Sequence, residues 1–297
     1  MTEIFRYTEA PEIIEKCGDL IYYNGRKDMA VMNKKEKTDY PDISPAILAK
    51  IRDGRFMDDE FLTACFKDRP DCMELILRII LDRPDLAVDR VWVQHYIKNI
   101  HGRSLQLDLH SKTTGEEFNI EVQRESRGAK PRRARYHGSV LDSDTLDPGD
   151  DFEKLPETYV IFITEKDIYG NGRPVYHVER FVMDDAGGQT FDDGLHILYV
   201  NGAYRGDDDL GKLMHDFRSK NPDDMNYTQL SERARYFKET EEGVRRMSDW
   251  MKSYVDEEKL KIAVKMLETG KLSYDEISKI LDLPLEEVEE LAGNKSA

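Results

Sequence analysis

Long apolar runs and an excess of basic residues are missing from this 297-residue chain, which also has only three cysteines. No stretch of 18 apolar residues occurs, so we expect no membrane-spanning helix. The first residues, Met1–Arg6, lack the basic and then apolar pattern of a secretory signal. The three cysteines are Cys17, Cys65 and Cys72, and their spacing suits neither a zinc knuckle nor a disulfide framework. Cys65 and Cys72 are seven residues apart, so we expect them on one side of a single helix, where buried thiols are common. These absences together predict a protein of the reducing cytoplasm.

Acidic residues outnumber basic ones by 60 to 44, which gives a formal net charge of -16 at pH 7. A surface of this sign repels nucleic acid, because affinity for DNA normally comes from Lys and Arg side chains that neutralise phosphates. With 39% hydrophobic and 35% charged residues, the composition is that of a soluble protein with a strongly solvated surface. The chain is long enough to bury a substantial core, in one large domain or two smaller ones.

A β-hairpin is predicted at Leu105–Arg124, where apolar and polar residues alternate on either side of a turn at Thr113–Gly115. Period-two alternation places Glu121 and Gln123 on one face of the second strand, and the hairpin can bring Asp108 beside them. Two carboxylates at one spot repel each other unless a cation lies between them, and Mg²⁺ and Ca²⁺ prefer such oxygens. The pattern favours metal-assisted attack on a phosphodiester. Polar residues on the outer face of an ordinary hairpin would give the same alternation.

A basic segment follows the hairpin directly in sequence. Against a single acid, Glu125, it carries six cations: Arg124, Arg127, Lys130, Arg132, Arg133 and Arg135. We expect this segment to contact the DNA phosphate backbone, since the scissile phosphate would lie between metal and basic groups. Arg132 and Tyr136 are four residues apart on one helix face, where the tyrosine could touch a sugar or base or could equally pack under the sheet. A solvated basic helix face remains the alternative for the whole segment.

Three parts are predicted along the chain: an N-terminal extension or linker with short helices at 1–50, an α/β domain at 51–240, and a helical region at 241–297. Strands are expected near 89–99, 104–111, 117–124, 159–165, 174–180 and 196–200. Helices are expected at 58–81 with an interruption at Pro70, at 132–141, at 210–217, and at 228–267 with breaks near 241–243 and 256. The pattern predicts an α/β fold in which helices flank a mixed central sheet.

The C-terminal region ends in a helix-turn-helix-like pair. Ser273 and Glu276 form a capping box for the first helix, and Pro284 suits the first turn of the second. The second helix carries four carboxylates and no Lys or Arg, and a phosphate-lined groove would repel it: Glu286, Glu287, Glu289 and Glu290. We therefore expect this pair to serve in homodimer formation, or in contact with a protein regulator, instead of reading DNA.

The chain resembles the PD-(D/E)xK nuclease superfamily, and most closely its bacterial branch of nuclease-family transposases, or recombination-promoting nucleases. Asp108 followed by Glu121-Val122-Gln123 resembles the active-site signature, and the likeness extends over most of the span 54–237. The other short motifs that carry it are Asp58-Asp59-Glu60-Phe61, Arg132-Arg133-Ala134-Arg135-Tyr136-His137, Glu157–Thr164 and Tyr199–Gly206. The resemblance implies a restriction-endonuclease-like α/β core.

By position, the resemblance assigns Asp108 and Glu121 as metal ligands, with the carbonyl of Val122 as a possible third oxygen. Gln123 stands where the family signature usually has Lys. A neutral amide can orient the attacking water but supplies no full charge, so Arg124 or a residue of the basic segment would have to provide it. Asp59 matches an acid that helps to hold the metal in relatives, although an Asp at a helix start is equally often an N-cap.

The predicted function is therefore a Mg²⁺-dependent DNA endonuclease with little sequence specificity, for which Mn²⁺ or Ca²⁺ could replace Mg²⁺. Two alternatives stay open. One is a catalytically weak or inactive nuclease-fold module that binds nucleic acid or protein, with Gln123 marking lost chemistry. The other is a regulator that acts through the C-terminal helix pair.

Overall fold

The computed structural model of the protein describes residues 13–16, 19–22, 31–32, 40–99, 102–185 and 187–293. The chain divides into two compact units, Met1–Ala46 and Ile47–Ala297. Across the described part of the chain, no helix is both long and apolar enough to cross a bilayer. A further division at 240/241, between an α/β domain and a helical region, stays a prediction.

The first unit contains a small antiparallel sheet in the order β1-β2-β3. Its strands are β1 (Ile13–Lys16), β2 (Asp19–Tyr22) and β3 (Val31–Met32). The sequence predicted short helices in this part of the chain, and for these three segments that expectation is wrong. Cys17 lies outside the described residues.

The second unit is built around a mixed sheet of six strands in the order β4-β5-β6-β7-β11-β8. The strands of this unit are β4 (Arg90–Ile97), β5 (Leu105–Thr113), β6 (Glu116–Gln123), β7 (Glu157–Thr164), β8 (Val175–Val178), β9 (Phe181–Asp184), β10 (Gly187–Thr190) and β11 (Leu195–Asn201). The helices are α1 (Pro45–Asp53), α2 (Asp59–Phe66), α3 (Pro70–Leu81), α4 (Pro131–Thr145), α5 (Asp209–Arg218), α6 (Thr228–Glu239), α7 (Glu241–Thr269), α8 (Tyr274–Leu281) and α9 (Leu285–Gly293). The predicted α/β fold with a mixed sheet, flanking helices and a helical C-terminal region is confirmed.

The centre of the sheet is parallel and its edges are antiparallel. β7 pairs in parallel with both β6 and β11, while β4–β5, β5–β6 and β11–β8 run antiparallel. β7 can occupy the middle because Val160, Ile161, Phe162 and Ile163 form a continuous apolar run that is buried on both faces. The crossover from β6 to β7 is made by α4, which therefore starts beside the carboxyl end of β6.

α4 packs on one face of the sheet through small and aliphatic side chains. Ala134, Val140 and Leu141 belong to one buried cluster with Phe162 of β7 and Leu107 of β5. Gly138 sits where a Cβ atom would come within 2.8 Å of Leu195, so this residue allows the helix to approach the sheet closely. α4 is thus held at a fixed height above the hairpin of β5 and β6.

Two local predictions differ from the structure, and one element of the structure was not predicted. Pro70 starts α3 after a left-handed Asp68, so Cys65 and Cys72 are buried on two successive helices and not on one side of a single helix. The expected break near residue 256 is absent from α7, because Val244–Thr269 contains neither Gly nor Pro. A short exposed hairpin, β9–β10, follows β8 and was not predicted.

Candidate active site

Asp108 and Glu121 face each other where β5 and β6 separate. The paired register of the two strands ends at Leu109 and Ile120. Beyond that point side chains replace ladder bonds: the Val122 N–H donates to Asp108 Oδ2 over 2.9 Å, and the Asp108 N–H points to Glu121 Oε1 at 3.4 Å. The hairpin therefore opens into a notch that brings both predicted carboxylates together.

Both carboxyl groups of the notch resist ionisation. Burial, with a contribution from the negative charge of Asp59, raises the pKa of Asp108 to about 7. Burial and the neighbouring Asp108 raise the pKa of Glu121 well above its ordinary value, although Arg133 opposes this shift. A pair of this kind needs a proton or a cation to be stable, and the donor chemistry fits a hard divalent ion.

Arg133 of α4 is directed into the notch. Its Nη2 donates to Glu121 Oε2 over 2.7 Å, and its Nη1 lies 3.4 Å from Gln123 Oε1 and 3.2 Å from the carbonyl oxygen of Gly128. The sequence grouped Arg133 with residues that hold the DNA backbone. In the structure its guanidinium binds Glu121 instead. An arginine in the first turn of α4, which starts beside β6, points back at that strand.

Gln123 is confined by a glycine. A Cβ atom at Gly128 would come within 1.7 Å of Gln123 Oε1, and no φ requirement explains this glycine. A residue without a side chain at position 128 is therefore needed to leave room for the Gln123 side chain beside Arg133. Nothing in the sequence pattern distinguishes Gly128 from an ordinary loop glycine.

His137 is a residue of the site that the sequence did not indicate. Its Nε2 accepts from Arg133 Nε at 3.1 Å, and its Nδ1 lies 3.0 Å from the Asn119 amide and 3.6 Å from Glu121 Oε1. Burial lowers the pKa of His137 to about 3, so the ring is neutral at pH 7. The spacing of four residues from Arg133 along α4 is the one signal that could have revealed it.

Asp59 lies at the first residue of α2 and does not cap it. Asp58 occupies the N-cap position, and its carboxylate accepts from Arg55. Asp59 instead accepts from Gln94 Nε2 at 2.6 Å and from the Tyr254 hydroxyl at 2.8 Å. The capping alternative is therefore wrong.

The three predicted metal-ligating carboxylates are not gathered into one cage. Within the described residues, no three His, Cys, Asp or Glu side chains are close enough to hold a metal ion together. Asp59 is tied to Gln94 and Tyr254, while Glu121 is tied to Arg133. Asp59 acts on the notch through its charge, which contributes to the raised pKa of Asp108.

The remaining residues of the basic segment fall into different surroundings. Lys130, Arg132 and Arg135 are exposed at the start and on the outer face of α4, where a phosphate backbone could reach them. Arg124 forms ion pairs with Asp58 at 3.2 Å and Glu165 at 3.7 Å, and the side chain of Arg127 lies outside the described part.

Tyr136 is a packing residue in this structure. It is half-buried against the cluster under α4, and its hydroxyl donates to the carbonyl oxygen of Arg103. Its predicted contact with nucleic acid would require that hydroxyl to leave its present acceptor. The geometry therefore favours the alternative in which the tyrosine packs under the sheet.

His110, on the same strand face as Asp108, is buried away from the notch. Its Nε2 lies 2.7 Å from Glu117 Oε1 and its Nδ1 lies 2.8 Å from His95 Nδ1. The ring stacks on Trp92. These partners give His110 a role in joining β4, β5 and β6.

An α/β sheet whose central hairpin opens onto two buried carboxylates, beside a basic helix, defines a nuclease-like domain. Residues 92–203 match the family model of PD-(D/E)XK nuclease family transposases, the family that the sequence resemblance predicted. The matched segment includes Asp108, Glu121, Gln123 and Arg133, but Asp59 lies before it. No curated protein and no solved structure matches the chain.

Proposed function

We propose that the protein is a metal-dependent DNA endonuclease of low sequence specificity, related to the nucleases that promote recombination. The family of residues 92–203 supports a nuclease-like or transposase-related function in general. The observation that carries the finer proposal is the buried pair Asp108 and Glu121, whose raised pKa values mark a place that a cation would stabilise.

In this proposal, Asp108 and Glu121 would hold Mg²⁺, and the negative charge of Asp59 would add to the attraction for the ion. When bound, the ion supplies electrophilic stabilisation of the charge that develops on the phosphodiester. Mn²⁺ can take the same oxygen ligands, and so can the larger Ca²⁺.

The Gln123 amide orients the attacking water, and Arg133 supplies the positive charge that an amide lacks. Of the two candidates that the sequence offered, Arg124 is paired with Asp58 and Glu165, whereas Arg133 already lies 3.4 Å from Gln123 Oε1. The neutral His137 accepts from Arg133 Nε and so fixes the plane of the guanidinium. Arg133 is bound to Glu121 over 2.7 Å, so a cation held by Glu121 would compete with the guanidinium for the same carboxylate, and the guanidinium would be available to a phosphate.

DNA would lie along the outer face of α4, with its phosphates on Lys130, Arg132 and Arg135. The low specificity follows from the C-terminal helix pair, whose second helix presents carboxylates where a DNA-reading helix needs donors and cations. We further propose a cytoplasmic protein that forms a homodimer through its C-terminal region, with a protein regulator as the alternative occupant of that surface.

The deciding experiment is plasmid nicking with Mg²⁺, Mn²⁺, Ca²⁺ or EDTA, run beside Asp108→Ala and Glu121→Ala variants. Nicking that needs a metal and disappears in both variants is the expected result. Nicking that survives both substitutions would place the chemistry elsewhere. A folded wild-type protein that binds DNA without cutting it would support the binding module instead.

A further inference from the structure

Gln94 has an unusual backbone at a position that faces the candidate site. It lies inside β4 with φ of 49°, in the left-handed region that Gly, Asn and Asp occupy most readily. The register pairs Val93 with Leu109 and His95 with Leu107, so Gln94 stands opposite Asp108 while remaining outside the ladder. A left-handed residue within a strand costs free energy and persists only where its surroundings hold it.

The side chain of Gln94 shows what holds it. Its Nε2 donates to Asp59 Oδ1 over 2.6 Å and to Thr63 Oγ1 over 3.1 Å, both on α2. Its Oε1 accepts from Gln106 Nε2 at 2.7 Å. The amide therefore bridges the strand that carries Asp108 and the helix that carries Asp59.

We propose that Gln94 is a positioning residue that holds the Asp59 carboxylate at the strand opposite Asp108 and thereby increases the affinity of the notch for a divalent cation. This inference rests on the proposed function, because it assigns a role at the same site. Asp59 also accepts from the Tyr254 hydroxyl on α7, whereas Gln94 joins it to the sheet that bears the carboxylate pair. Partners of this outer kind commonly govern how tightly a metal is held.

The test is Gln94→Gly in the full-length protein, measured by calorimetric titration with Ca²⁺ alone and by thermal unfolding without metal. Glycine accepts the left-handed backbone without strain but removes the amide. We expect Ca²⁺ affinity to fall by roughly 10- to 100-fold, while the unfolding temperature of the metal-free protein stays the same or rises. A residue that merely packs would lose stability on truncation, so the two readouts separate the roles.

The matched control is Asp82→Gly. Asp82 also has a positive φ, 52°, and ends α3 outside the notch, so this variant relieves the same backbone conformation without touching the site. It should leave Ca²⁺ affinity unchanged. A fall in Ca²⁺ affinity equal to that of Gln94→Gly would overturn the proposal.

Two further variants separate this inference from the proposed function. If Asp108→Asn and Asp59→Asn both weaken Ca²⁺ binding while Gln94→Gly does not, the site stands and the positioning role is wrong. If Asp108→Asn leaves Ca²⁺ binding intact, the proposed metal site itself fails. A Gln94→Gly protein that loses stability along with affinity would show a packing role and would also overturn the inference.

Discussion

At the scale of single residues, the buried carboxylates of the notch lower the stability of the metal-free protein, while they provide the oxygens of the proposed metal site. Asp108 has a pKa of about 7 in the native protein and an ordinary value of 3.8. Between those pH values the folded chain keeps a proton that the unfolded chain has released. The free energy of unfolding contributed by this group therefore falls as pH rises from about 4 to about 7 and is then constant.

Asp108→Asn should consequently stabilise the metal-free protein near pH 8. We expect the free energy of unfolding to rise by about 1–2 kcal/mol, because the amide cannot ionise. Each kcal/mol should raise the unfolding temperature by roughly 2–4 °C. Thermal unfolding in EDTA at pH 5 and pH 8 measures it. The variant also removes the repulsion that Asp108 exerts on Glu121, which adds to the gain. Groups outside the notch titrate equally in both proteins, so the difference between variant and wild type is the readout. A variant less stable than wild type at pH 8 would contradict the raised pKa.

Gly128→Ala tests the placement of Gln123. The added Cβ would come within 1.7 Å of Gln123 Oε1, so the amide must move. We expect the nicking rate to fall by about 10²-fold, as for other displacements of about 1 Å at a reacting centre, with DNA affinity unchanged. Gly293→Ala is the control, because its Cβ would meet open space. Equal rates for both variants would remove Gln123 from the chemistry.

At the scale of elements, α4 has two faces that do different work. Arg133 and His137 point into the notch, whereas Arg132 and Arg135 are exposed on the outer face. The crossover between parallel strands fixes this orientation, because the helix must cover the sheet with Ala134 and Leu141.

Substitution of both Arg132 and Arg135 by Gln should weaken DNA binding without altering the cutting step. Each arginine that no longer neutralises a phosphate should reduce the slope of log K against log salt concentration by about one in magnitude. Binding titrations at several salt concentrations, with nicking measured at saturating DNA, separate the two effects. Arg235→Gln on α6 removes one positive charge of the same kind elsewhere and should change neither quantity. A reduced rate at saturating DNA would instead place these residues in the chemistry.

The same helix shows how far sequence reasoning reaches. Alternation along β5 and β6 was enough to place Asp108 beside Glu121, because the period of a strand and a short turn are local properties. Which arginine of Arg132, Arg133 and Arg135 turns inward depends on where α4 crosses the sheet. That crossing is set by packing between residues far apart in the chain, and no pattern within the segment encodes it.

Gln94 and the Cys65–Cys72 pair illustrate the two other kinds of failure. The left-handed backbone of Gln94 goes against local preference, so its distant partner Asp59 is needed to explain it. The separate helices of the two cysteines follow from Pro70, whose break was predicted but whose consequence for their spacing was missed.

At the scale of the whole molecule, this acidic protein also exposes apolar side chains on its C-terminal helices. The end of α7 packs with α8 and α9 around a small core of Ala263, Ile277, Leu283 and Val288. Outside this core, Ile280 is 57% exposed and Leu285 is 40% exposed. These apolar side chains lie on the part of the chain for which a homodimer is predicted.

The dimer can be tested without truncation. Because α7 is unbroken from Glu241 to Thr269, cutting the chain inside it would expose the small core, so Ile280→Glu with Leu285→Glu is the cleaner variant. Light scattering should show a dimer for the wild type and a monomer of unchanged helicity for the variant, because buried carboxylates oppose association. Equal masses for the two proteins would refute the predicted interface.

The crowding around Gln123 also constrains the evolutionary history open to this chain. A lysine at position 123, the usual residue of the family signature, would bring its ammonium against the Arg133 guanidinium, whose Nη1 now lies 3.4 Å from the amide oxygen. Gly128 leaves that side chain little room to turn aside. Placing lysine at position 123 therefore takes more than one mutation: Arg133 would have to be replaced as well, and either single change alone would leave two repelling cations or none at this point. Glutamine at 123 and arginine at 133 are thus interdependent, and neither can be exchanged for the charge arrangement of the signature one step at a time.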